Sequence, residues 1–171
     1  PAQFTYALPA QDPVAGNVAS GVAFTRYRTT PGAYQNFTAA FSLSEGIRSI
    51  EFQSQDNIGN PELLKSATVF VDATSPNSAL AIGNPKFDPG NGRPVFVAAA
   101  TPLTLSAQDP LMQEVASGVR LISFHRGSDP FGSYSAPFTL PLPDGLKTVD
   151  YFATDNVGNV EVARSTSVAL D

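Results

Sequence analysis

GIRSIEFQSQDNIGN, at residues 46–60, returns as GLKTVDYFATDNVGN at residues 145–159, 99 positions further along the chain. Within it IRSIEF (47–52) becomes LKTVDY (146–151), every residue exchanged for a chemically similar one. Such matching means that each side chain meets the same surroundings in both copies. The period-two pattern then directs Ile50, Phe52 and Ser54 inward, and likewise Val149, Tyr151 and Ala153. Each strand runs into D-N-x-G-N. Asx side chains bond their own backbone in turns and Gly accepts positive φ, so the stretch predicts a β-hairpin whose second strand ends at Asp72 or Asp171.

Working outward, AQDP and VASGV at 10–13 and 18–22 return at 107–110 and 115–119, now 97 positions apart. FSL at 41–43 still matches FTL at 138–140 at that offset, so the repeat lengthened beside residues 140–143. A repeat that accepts insertion only between its periodic segments is a folded unit with variable loops. Alternating apolar residues at Leu103, Leu105 and Ala107, matched by Tyr6, Leu8 and Ala10, predict a first strand; Ile122 and Phe124, matched by Thr25 and Tyr27, a second. YSAPFTL (134–140) and FTAAFSL (37–43) read as a third. Residues 73–100 are rich in Pro, Gly and Asn, but 78–82 and 94–97 fit short edge strands that open the second unit. Residue 1 corresponds to about residue 98, so the first unit lacks that opening piece, which either was cut away or is supplied by a neighbouring chain or domain. Short strands separated by turns and repeated as a block predict an all-β chain of two tandem immunoglobulin-like β-sandwich domains, residues 1–73 and 74–171, with a barrel as the alternative.

Composition narrows the class. Hydrophobic residues are 42% and charged residues 15% of 171, with 13 Gly and 15 Pro, as a β-rich, turn-rich protein requires. No apolar run approaches the length of a membrane-spanning helix, so no membrane insertion is expected. The absence of cysteine removes disulfides, thiolate nucleophiles and sulfur-ligated zinc. A net charge of −5 without a basic cluster argues against nucleic acid as a partner. The start at Pro1, in mid-pattern, is expected of a processed or excised chain.

The duplicated motifs LTLSAQD (103–109), SGV (117–119), YSAPFTL (134–140) and DGLKTVDYFATDNVGNVE (144–161) resemble a family of bacterial surface-protein Ig-like repeats that end in a D-N-x-G-N-x-E hairpin, sometimes labelled outer-membrane barrel repeats. The first copy departs from that pattern, with Ala40 in place of Pro and Pro61 before Glu62. The resemblance implies a non-catalytic role in cell-surface proteins, adhesins or accessory regions of secreted enzymes, hence an extracellular location.

Candidate site residues follow from the repeat. His125, the only histidine, stands where the first copy has Arg28, so the fold does not require it and it reads as a surface strand residue. A catalytic option would need paired carboxylates in a cleft, and no enzyme is expected. In an immunoglobulin-like topology Asp12, Asp56, Asn57 and Asn60, with Ser20, gather at one pole, echoed by Asp109, Asp155, Asn156 and Asn159 with Ser117. Hard oxygens at a rigid pole suit calcium, but each pole supplies only two carboxylates, which favours capping of their loops by the same residues. Asp72, Asn77 and Asp88 are expected to add oxygens at the second pole. Tyr34, Phe37, Phe131 and Tyr134 offer either a sugar-stacking platform or a lid on the core. Asn36-Phe37-Thr38 fits an N-glycosylation pattern. Two functions emerge: a structural or adhesive surface module, whose partners are other domains or subunits reached in part by strand addition, or a carbohydrate-binding accessory region of a secreted hydrolase.

Overall fold

The computed structural model describes residues 5–171. All regular elements among the described residues are β-strands, and none of them is a helix able to cross a membrane. The described residues divide into two compact units: one holds residues 5–73 with Met112–Val115, the other Thr74–Leu111 with Ala116–Asp171.

In the first unit β1 (Val22–Thr30), β2 (Gln35–Asn36), β3 (Gly46–Asp56) and β4 (Lys65–Val71) form one antiparallel sheet in the order β2-β1-β3-β4. Strand alternation sorts the faces: Thr25 and Tyr27 of β1 are buried while Arg26 between them is exposed. Ile50 of β3 is buried, and Phe52 and Ser54 beyond it are only half-buried. The Tyr27 ring stacks on Phe41 at 4.2 Å and Phe37 meets both edge-on, closing this end of the core.

The second unit is more complete. Its larger sheet contains β6 (Lys86–Phe87), β7 (Val95–Val97), β9 (Val119–Arg126), β10 (Gly132–Ser133), β11 (Gly145–Asp155) and β12 (Arg164–Leu170), ordered β10-β9-β11-β12-β7-β6. Only the β7/β12 pair is parallel. The smaller sheet is the antiparallel pair of β5 (Asn77–Ile82) and β8 (Leu103–Gln108). Leu103 and Leu105 of β8 form one buried cluster with Val149 and Tyr151 of β11, Val168 and Leu170 of β12 and Val97 of β7. Inner faces of two sheets thus share a core, the arrangement of a β-sandwich.

Residues 78–82 and 94–97, expected as edge strands, lie within or beside β5 and β7. The third predicted strand is corrected. Tyr134 donates its N–H to Ile122 of β9, whereas Phe138 exchanges both backbone bonds with Leu103 of β8. The stretch crosses from one sheet to the other, so neither sheet extends a ladder along it; in the first unit Phe37 likewise bonds Thr25 of β1 and Phe41 bonds Tyr6. The predicted first strand also forms fully only in the second unit. There β5 pairs with β8, but among the described residues of the first unit the equivalent stretch, 6–11, has only the Tyr6–Phe41 bridge.

Candidate functional site

Two loops and a hairpin turn are locked together in the same way in each unit. In the first, the Asp12 carboxylate accepts the Gly21 N–H at 2.8 Å, and the Asn57 side-chain amide donates to the carbonyls of Ser20 and Gly21 at 2.7 and 3.2 Å. Asp56 accepts the N–H of Ile58 at 3.1 Å, and both the N–H and side-chain amide of Asn60 at 2.7 Å. In the second unit Asp109 accepts from Gly118 at 2.6 Å, and Asn156 donates to Ser117 and Gly118 at 2.8 and 3.0 Å. Asp155 accepts from Val157 at 3.0 Å and from Asn159 twice at 2.7 Å.

Glycine is required at the crossing point. Gly21 and Gly118 adopt φ of 83° and 85°, and a Cβ there would meet the Asn57 or Asn156 amide at 3.2 or 3.3 Å. The repeated VASGV motif is therefore half of a lock whose other half is D-N-x-G-N. All eight Asp and Asn residues read as a pole cluster enter these locks: the four aspartates accept backbone and amide N–H groups, and the four asparagines donate. Asn77 and Asp88 are engaged elsewhere: Asn77 accepts from Arg164 at 2.8 Å, and Asp88 caps its own turn through Gly90 N–H at 2.8 Å.

The last residue of the hairpin motif plays a role that its sequence neighbours do not announce. Glu161, 8% exposed, reaches β5: its carboxylate accepts the Ser78 N–H at 3.0 and 3.1 Å and the Ser78 hydroxyl at 2.5 Å. It also accepts Ala153 N–H at 3.1 Å and Arg164 Nε at 2.5 Å. One carboxylate thus ties β5, β11 and the start of β12. Its counterpart Glu62 is half-buried and holds Ser54 N–H at 3.2 Å together with the Lys65 ammonium.

Burial alone would raise the Glu161 carboxyl, but the donors of Ser78, Arg164 and Ala153 outweigh it and hold the group below its ordinary value of 4.5. A depressed folded-state pKa gives stability that is present above the unfolded value and lost as pH falls through the folded one. The melting temperature of the second unit is therefore expected to fall on acidification below about 4.5. Glu161→Gln, which cannot titrate, removes that share of the slope. Equal slopes in thermal melts of the two proteins between pH 6 and 3 would contradict the assignment.

On the outer face of the sheet holding β1 and β3 in the first unit, and of the larger sheet in the second, cross-strand partners form a second repeated constellation. Arg28 faces Glu51 in the β1/β3 ladder and pairs with it at 2.6 Å; Tyr34 donates to the same carboxylate at 3.0 Å while its ring lies 4.7 Å from the Arg28 guanidinium. The Arg28 N–H bonds, with the Tyr34 hydroxyl, keep the half-buried Glu51 below the usual carboxylate range. In the second unit His125 faces Asp150 at 3.0 Å, and the Phe131 ring stands edge-on to the imidazole at 4.3 Å. His125 is thus a covered, paired residue rather than a free surface one: its side chain is 17% exposed.

This geometry separates the four aromatics proposed as a platform. Tyr34 and Phe131 contact the outward residues Arg28 and His125. Phe37 and Tyr134 contact the inward residues Tyr27 and Phe124, at 6.3 and 5.9 Å. Neighbouring strand residues point to opposite faces, so each pair is divided by the thickness of its own sheet. As one stacking surface the set is corrected: two rings close the core and two cover a cross-strand polar pair. The repeated positions 28, 51 and 34 against 125, 150 and 131 were the available signal for this constellation.

No family model matches the chain, and no curated protein matches it. Among solved structures it is similar to one titled "Structures of Clostridium thermocellum CbhA fibronectin(III)-like modules", with a TM-score of 0.43 and 10% identity over 98% of this chain and 83% of that one.

Proposed function

We propose that the chain is a non-catalytic module of two tandem immunoglobulin-like sandwiches, residues 1–73 and 74–171, acting outside the cell as a structural or adhesive part of a surface or filament protein. The observation that carries this reading is the duplicated lock: Asp12 on Gly21 and Asp109 on Gly118, Asn57 and Asn156 on the facing loop, Asp56 and Asp155 on their own turns. A catalytic centre needs titratable groups turned toward a substrate with separated proton affinities. These groups instead face their own backbone, so what the repeat preserves is a scaffold, and its loops carry the variation.

The test is a substrate screen run beside an adhesion assay. Incubation with polysaccharide, peptide and ester substrates is expected to give no product above buffer, and the labelled chain is expected to be retained on cells or on matrix polymers. Turnover of any substrate that disappears when Glu51 or Asp150, the outer-face carboxylates, is changed to Ala would overturn the proposal.

A further inference from the structure

The first unit contains a groove of about 460 Å³ whose lining includes Leu8, Ala10, Phe52, Ser54, Glu62 and Lys65. At the repeat offset these are Leu105, Ala107, Tyr151, Ala153, Glu161 and Arg164 of the second unit. There the same positions surround β5: Leu105 and Ala107 lie in the strand that pairs with it, Glu161 holds both the N–H and hydroxyl of Ser78, and Arg164 holds Asn77. Among the described residues of the first unit, 7–11 make no ladder with any strand. The open side of a strand presents unpaired N–H and C=O groups in a row, the usual template for strand addition.

From this correspondence we infer that the groove of the first unit is a receptor for an extended polypeptide strand of the chemistry Pro-Asn-Ser-Ala-Leu, the sequence that fills the equivalent place in the second unit at residues 76–80. The incoming strand pairs its backbone with residues 7–11. Its serine N–H and hydroxyl bond the Glu62 carboxylate, and its asparagine oxygen meets the Lys65 ammonium. The serine must be small because Ser54 and Thr25, bonded to each other at 2.9 Å, form the floor beside Phe52. Glu62 already faces the groove as a carboxylate: Lys65 and the Ser54 N–H hold it below its ordinary value despite partial burial, leaving it charged to accept two further donors. The inference goes beyond the reading of the chain as a scaffold and does not depend on it.

The probe is a fluorescein-labelled peptide spanning residues 75–82, SPNSALAI, titrated with the 171-residue chain and followed by anisotropy. Saturable one-to-one binding is expected, with the amides of residues 7–11 gaining protection from hydrogen exchange. The peptide carrying Ser78→Pro, which lacks both donors, is expected to bind about tenfold or more weakly. Glu62→Ala in the chain should weaken the original peptide similarly while circular dichroism and the melting of the second unit stay as they were. Failure to saturate at millimolar chain, protection confined to other amides, or binding indifferent to both substitutions would overturn the inference. So would self-association of the chain that leaves the peptide unbound, which would make a second copy the occupant. A failed titration leaves the substrate screen unaffected, and turnover in that screen leaves the titration unaffected, so the two readings fall separately.

Discussion

Replacing Glu161 by Ala should destabilise the second unit by about 2–3 kcal/mol, the upper range for leaving buried donors without a charged acceptor, whereas Glu62→Ala should cost the first unit about 1 kcal/mol or less. The two residues occupy the same motif position. They differ in what surrounds them. Without Glu161 the Ser78 N–H and hydroxyl, the Ala153 N–H and the Arg164 guanidinium lose their common acceptor, and the buried donors among them cannot recover it from water. Glu62 is half-exposed, and water can replace it for Lys65 and Ser54. In a domain of this size the larger loss lowers the melting temperature by roughly 10–20 °C. Differential scanning calorimetry of the two variants checks it: equal shifts would remove the structural role given to Ser78 and β5.

Leu103→Ala carries the other large effect. Leu103 is fully buried in the second unit, in one cluster with Leu105, Val149, Val168 and Leu170, and it is the point where β8 meets both β5 and the crossing stretch at Phe138. Deleting its side chain removes the transfer free energy of three methyl-sized groups and leaves a void that surrounding β-structure fills poorly, a cost of about 2–5 kcal/mol. Urea denaturation followed by Tyr fluorescence measures it. A loss under about 1 kcal/mol would mean that the two sheets do not share a tightly packed core.

How far the sequence disclosed this molecule depended on separation along the chain. The hairpin at 46–60 and 145–159 was legible because its strand, turn and capping residues are contiguous, and local chemistry decided them. The crossing stretch was misread as a ladder strand because alternation reports which side is apolar and says nothing of which sheet supplies the hydrogen bonds. Glu161 was seen as the end of a motif, but its partner Ser78 is 83 residues away in a segment whose composition suggests a linker. The outer-face pairs were hidden similarly: Arg28 with Glu51 and His125 with Asp150 depend on strand register, which loop lengths set. The aromatic set failed for a related reason, since spacing within a loop does not reveal on which side of a sheet each ring arrives.

One feature of the second unit bears on how it would respond to load. Strand β7 runs parallel to β12 through Val95–Val168, Phe96–Ala169 and Val97–Leu170, beside the chain's last residues. A pull on the last strand, β12, slides it along its parallel neighbour β7, so these bonds resist in shear and must break together, whereas a hairpin opened from its free ends unzips one bond at a time. Among its described strands the first unit has no parallel pair. The contacts that hold the last strand of the second unit against axial sliding therefore have no counterpart among the described strands of the first.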